Sequence, residues 1–105
     1  MDMDEKDIAL RIARLRTQKG VSAREMSLAM GQCQGYINNI ETGTNRPSVK
    51  GLLYICEYLG VTPAEFFDME NKNPKRLDEI TSDLRRLSPA QLETVSALIK
   101  QLAGK

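Results

Sequence analysis

The side chains in this sequence best suited to recognition chemistry are three amides, Gln34, Asn38 and Asn39, set beside an apolar stripe of Tyr36, Ile37 and Ile40. An amide carries a donor and an acceptor side by side, the pattern an adenine edge presents in the DNA major groove. Amides facing outward from a docked helix therefore suit base readout. A solvated polar face on an ordinary all-α domain is the plain alternative. The flanking residues favour readout. Ser22 and Glu25 make an S-x-x-E capping box that opens a helix through Met30. Gly31 supplies a sharp exit, and a second short helix is expected from about Cys33 to Thr42, stopped by Gly43. Two short helices in such close succession form a helix-turn-helix, which lays its second helix in the major groove.

Other elements must hold this pair. A first helix is expected from about Asp4 to Gln18, with acids in its first turn, Arg16 and Lys19 near its end, and Ile8, Ile12 and Leu15 as its apolar stripe. Thr44, Asn45 and Arg46 form a polar loop closed by Pro47, which can open a helix at its first position, with Ser48 as an alternative cap. The next helix carries Val49, Leu52, Leu53, Ile55, Cys56 and Leu59, is apolar on two sides, and is expected to be the buried centre of the domain before Gly60 stops it. Thr62-Pro63-Ala64-Glu65 repeats the capping box with proline at the first helical position, and Phe66 and Phe67 follow as apolar load for the core and packing surfaces.

From Ile8 to Phe67 the chain resembles the Cro/C1-type (Xre-family) helix-turn-helix domain of phage repressors and bacterial transcription regulators. The matching residues are the run from Ile12 through Arg16 to Lys19-Gly20, S-x-x-E-M at Ser22, Y-I-x-x-I-E-x-G at Tyr36, Pro47-Ser48, and L-G-V-T-P-x-E-F-F at Leu59. The resemblance implies an all-α, five-helix, lambda-repressor-like DNA-binding domain over residues 1–70 whose third helix enters the major groove of double-stranded DNA. It implies base contacts from Gln34 and Asn39, flanked by Gly35 and Asn38. Gly35 departs from the polar residue usual there, which leaves one base contact missing or replaced by close backbone approach. Ala23 departs too, where many relatives place a glutamine that anchors phosphate and braces the first reading amide. Tyr36 is structural or phosphate-contacting by the same comparison, and Thr44, Asn45 and Arg46 form the phosphate clamp. Lys50 and Arg11 are weaker phosphate candidates, or simply solvated. Relatives also join the arginine near the end of helix one to the glutamate before the glycine that ends helix three, here Arg16 and Glu41. That pair would fix the reading helix to its scaffold.

The 105 residues, 28% charged and 41% hydrophobic, leave room for one compact domain and an appendage. No apolar run approaches the ~20 residues of a membrane-spanning helix, and the acidic opening MDMDEKD is unlike a signal peptide, so a cytoplasmic location and no membrane partner are expected. A net charge of +1 is low for a nucleic-acid binder. Its distribution is not: residues 8–50 hold seven basic side chains (Arg11, Arg14, Arg16, Lys19, Arg24, Arg46, Lys50) against Glu25 and Glu41. Cys33 and Cys56 lack a CxxC pairing and the chain has no histidine, so neither a zinc site nor a disulfide is expected, and no metal or cofactor. Cys33 is expected at the N-cap of the reading helix, as a tolerated weak cap or a redox-sensitive thiol, and Cys56 in the core.

Asn71-Lys72-Asn73-Pro74 is a polar linker, after which Leu77, Ile80, Leu84 and Leu87 recur at helical steps. Ser88-Pro89-Ala90-Gln91 makes a capped turn, and Leu92, Val95, Leu98, Ile99 and Leu102 resume the pattern. Residues 71–105 thus read as a linker and a C-terminal helical hairpin whose two leucine-rich stripes need a surface to pack on. A second copy of the chain is the expected cover, giving a homodimer through these nine residues. The other possibility is that the hairpin folds back on its own domain. Three function classes compete. A catalytic role is the weakest, because there is no histidine, no glycine-rich phosphate loop and no nucleophile with an evident base. An antitoxin or adaptor whose C-terminal hairpin binds a protein partner is the alternative, although the hairpin is too regular and well capped to look like a disordered toxin-binding tail. A dimeric repressor on a near-palindromic operator fits best. In layout the chain also resembles biofilm and sporulation repressors of Gram-positive bacteria, whose hairpins mediate self-association and capture by a small protein antagonist.

Overall fold

A computed structural model of the chain describes residues 3–104 as seven α-helices, with no strand among them. Helix α1 spans Glu5–Lys19, α2 Ala23–Ala29, α3 Tyr36–Glu41, α4 Val49–Leu59, α5 Pro63–Phe67, α6 Pro74–Leu84 and α7 Pro89–Leu102. Local chemistry accounts for most of these boundaries. Asp4 caps α1 by accepting from the Lys6 and Asp7 N–H groups while the Asp7 carboxylate accepts from the Asp4 N–H. Gly20 ends α1 at φ 81°, a left-handed conformation that costs glycine nothing, and returns its N–H to the Arg16 and Thr17 carbonyls. Ser22 with Glu25 and Thr62 with Glu65 form reciprocal capping boxes on α2 and α5. Ser48, not Pro47, opens α4: its hydroxyl accepts from the Gly51 N–H, and the proline lies outside the helix.

The chain divides into two compact units, residues 1–74 and 75–105. The boundary expected at residue 70 falls at 74 because the linker belongs to the first unit. The Arg11 guanidinium donates to the Asn71 carbonyl at 2.8 Å, the Gln18 amide donates to the Lys72 carbonyl at 2.7 Å, and Pro74 is buried.

The first unit has a continuous apolar core. Ile12 and Leu15 of α1, Met26 of α2, Ile37 and Ile40 of α3, Ile55, Cys56 and Leu59 of α4, Val61, and Phe66 of α5 are all buried. Helix α4 is not the enclosed centre its composition suggests. It packs on α1 and α5 with one face, and Val49 at 81% exposure, with Leu53 and Tyr54, faces outward. Residues along one helix step round by about 100° each, so a run of apolar residues cannot all meet one packed surface. Phe66 fills the core and Phe67 lies edge-on to it, ring centroids 5.1 Å apart, partly exposed.

The second unit is two helices joined by a turn through residues 85–88. Ser88 and Gln91 cap α7 reciprocally, with Pro89 at its first position. Among residues 75–104 none is buried; Leu84, Leu87 and Val95 are half-buried, while Leu77, Ile80, Leu92, Leu98, Ile99 and Leu102 are 41–79% exposed. Helices α6 and α7 make no extensive contact with each other. No helix among the described residues is long and apolar enough to cross a membrane.

Candidate nucleic-acid interface

Helices α2 and α3 are joined by a turn whose geometry rests on one serine. Ser27, fully buried, donates its hydroxyl proton to the Ala23 carbonyl at 2.7 Å and accepts from the Ile37 N–H at 2.9 Å. An orphan N–H in the first turn of α3 is thereby satisfied from another helix. The Ser27 carbonyl accepts from Gln32, and Gly31, at φ 74°, turns the chain. Sequence reasoning missed Ser27. The available signal was a small hydroxyl beside Met26, on the inward face of a helix whose other polar residues face out.

Helix α3 begins at Tyr36, three residues later than expected. Its N-cap is Gly35, no side chain caps it, and Cys33 lies in the preceding turn, where its carbonyl accepts from the Tyr36 N–H at 3.1 Å. Cys33 is therefore not the capping residue. A thiol is too weak an acceptor to hold an N-cap, and the Ser27 hydroxyl takes over one of the donors a cap would serve. The Cys33 thiol is exposed, whereas burial pushes the Cys56 thiol above its ordinary range and leaves it an inert core group.

The scaffold grips α3 through Arg16. Its Nε donates to Glu41 Oε2 at 2.7 Å and its Nη2 to Glu41 Oε1 at 3.0 Å, a bidentate pair whose side chains are only 19% and 13% exposed. Nη1 donates to the Val21 carbonyl at 2.9 Å, so one guanidinium ties the end of α1, the α1–α2 turn and the end of α3. The carboxylate raises the arginine's pKa against the opposing effect of burial. A second grip comes from Tyr36, whose hydroxyl lies over the first turn of α4. A Cβ on Gly51 would lie 2.8 Å from it, so no larger residue fits there without displacing the phenol.

Around this frame the amides fall unequally. Gln34, in the turn, and Asn38, on α3, are exposed; Asn39 is half-buried, its carbonyl accepting from the Asn45 N–H at 3.0 Å. Gly35 is half-buried, and a Cβ there would meet Asn39 Nδ2 at an ordinary 3.6 Å, so the glycine is not demanded by space. Thr44, Asn45 and Arg46 are exposed in the loop after α3, with the Thr42 and Thr44 hydroxyls 3.1 Å apart. Ala23 sits at the first position of α2, half-buried, and its methyl group has no hydrogen-bond donor. Lys50 lies over the Tyr54 ring, 5.8 Å from its centroid.

Arg11 does not belong to this surface and is not solvated. It is 3% exposed, and its Nε and Nη2 donate to the carbonyls of Phe66, Glu65, Asp68 and Asn71 at 2.7 to 3.1 Å. It neutralises the carbonyl end of α5 and pins the linker. Desolvation lowers its pKa, with Asp68 raising and Arg14 lowering it, and a guanidinium stays charged throughout.

Comparison with known proteins gives one consistent result. The family model HTH_3, described as helix-turn-helix, matches residues 12–66. An uncharacterised HTH-type transcriptional regulator of Sinorhizobium fredii is 32% identical over 74 residues, covering 70% of this chain and 95% of that relative. No solved structure matches the chain.

Proposed function

The chain belongs to the Cro/C1-type (Xre) helix-turn-helix family of DNA-binding transcriptional regulators, and from that premise we propose that it acts as a homodimeric repressor on a near-palindromic operator. Gln34, Asn38 and Asn39 read base edges, with Gly35 leaving room for the DNA backbone or a base. Tyr36, Thr44, Asn45 and Arg46 contact phosphates, and the Ala23 N–H does so from the start of α2. The observation that carries this reading is the pairing of exposed amides at Gln34 and Asn38 with a reading helix locked by Ser27 and by the Arg16–Glu41 pair. A pre-organised helix loses less entropy on binding.

The stripes on α6 and α7 are the dimerisation surface, since a two-fold partner covers both with the same residues. Half-sites then lie about one helical turn, ~10 base pairs, or a multiple of it apart. Selection of bound sites from random DNA tests the recognition half. Gln34→Ala and Asn39→Ala should each lose about 1 to 3 kcal/mol on the preferred site and relax specificity there. Unchanged site preference in both variants would remove these residues from base readout. Sedimentation equilibrium tests the rest: the full chain should dimerise, and a chain ending at Pro74, which keeps the whole first unit, should be a folded monomer with much weaker operator affinity. A full chain that stays monomeric at high micromolar concentration would leave the stripes to a different protein, such as a small antagonist.

A further inference from the structure

Three acids open α1, and they are not equivalent. Asp4 and Asp7 are committed to each other's backbone N–H groups in the capping box. Glu5 takes no part in the box. Its carboxylate instead pairs with Arg46, Nε to Oε2 at 3.0 Å, across 41 positions of sequence. Both side chains are largely exposed, 76% for Arg46 and 63% for Glu5. Both also line a cleft of about 710 Å³ between the start of α1, the loop after α3 and the start of α4, whose floor includes Ile8, Ile40 and Leu52. The loop is thus not packed solidly against α1 at this place, and Arg46 has space to change rotamer without opening the core.

The geometry points to a partner exchange at Arg46: in the free protein Glu5 occupies the guanidinium as a stand-in for phosphate, and DNA binding replaces the carboxylate with a backbone phosphate. The inference rests on the reading of Arg46 as a phosphate contact. Carboxylate and phosphate present the same kind of oxygen acceptor to a guanidinium, so one can take the other's place. The exchange is weak enough to be reversible, because an exposed pair is worth little, and strong enough to matter on non-specific DNA, where phosphate contacts supply nearly all the affinity. On an operator the same exchange takes place, so the masking of Arg46 lowers affinity by the same factor there. Glu5 therefore weakens binding to any duplex that takes a phosphate contact from Arg46. It does so at one defined contact, in addition to any diffuse effect of the acidic start of the chain.

A double-mutant cycle on the full-length protein tests this, with affinity for random-sequence duplex and for a selected site measured over a range of salt. Glu5→Gln should tighten binding to random duplex about 2- to 5-fold, the range a surface pair can supply. In the Arg46→Ala background the same substitution should have almost no effect. An equal gain in both backgrounds would mean a general charge effect and would overturn the exchange. Unchanged or weaker binding by Glu5→Gln would do so too, since the carboxylate would then be idle or would hold Arg46 ready for DNA. If Arg46→Ala itself fails to weaken binding, the phosphate assignment falls and takes the exchange with it. A thermal melt of Glu5→Gln separates these results from loss of fold, and Glu5→Ala repeats the cycle if the amide destabilises α1.

Discussion

The two units of this chain both contain helices opened by a capping box, yet they reach opposite states of completion. In residues 3–74 eleven apolar side chains are buried, Pro74 among them, and the charged and polar side chains that enter the interior, Arg11 and Ser27, have partners for their donors. In residues 75–104 nothing is buried, and six large apolar side chains stand 41% or more exposed. Caps and periodicity make a helix, but the free energy of a fold comes from burying one helix face on another. Short polar loops and five helices close a core around α3, whereas two helices joined by one turn do not close one by themselves. The first unit closes its own core; the second leaves its apolar stripes uncovered.

The contrast is sharpest in the response to truncation of large apolar residues. Phe66→Ala should destabilise the first unit by about 3 to 5 kcal/mol, the usual cost of emptying an aromatic site in a packed core. Leu98→Ala should leave the melting of a dilute, monomeric sample nearly unchanged and act on self-association instead. Chemical denaturation of both variants, at protein concentrations below and above the association range, checks this. A large loss of monomer stability in Leu98→Ala would mean that the second unit has a core of its own kind after all.

Arg11→Met should come next, at about 1.5 to 3 kcal/mol, because carbonyls at the end of α5 and in the linker lose a charged donor. The damage should be local. Hydrogen exchange should rise over residues 63–74 while the α2–α3 amides remain protected, and uniform loss of protection would show that the linker is integral to the reading pair.

The smallest effect concerns the cap of α2. The Ser22 backbone N–H and hydroxyl hold the Glu25 carboxyl below its ordinary range. A carboxylate with a depressed folded pKa contributes stability that is present above the ordinary value, 4.5, and is lost as pH falls through the folded one. Glu25→Gln keeps the cap but not the charge. Its melting temperature should fall slightly short of the native protein's at neutral pH and converge with it as acidification carries the pH below the ordinary value and through the folded one. A gap that widened in acid would assign Glu25 the opposite sign.

Much of this molecule is local chemistry and was legible in the residues. Ser22, Thr62 and Ser88 announce their helices because a capping box closes within four positions of the chain, and Gly20, Gly31, Gly43 and Gly60 mark stops because positive φ, 73° to 82° here, strains any residue with a Cβ. The amides at Gln34, Asn38 and Asn39 were visible as a polar set beside a helical stripe, and the two unpartnered stripes of the C-terminal helices as a periodicity without a partner. What the residues did not disclose are groups whose partners lie far along the chain. Cys33 was placed at the start of α3 by spacing, but that start is decided by the Ser27 hydroxyl ten residues away in another helix. Arg11 looked like one more surface cation, and its partners are carbonyls 54 to 60 residues distant. Val49 and Leu53 look like core by composition, and only the direction in which α4 packs turns them outward. Sequence alone determined that these helices form, the caps of α2, α5 and α7, and the family of the chain, because these depend on neighbours within a turn or two and on matching residues. The tertiary structure decided where α3 begins, which cations are buried and where the first unit ends, because a side chain's burial and its partner are set by whichever elements the folded chain brings against it.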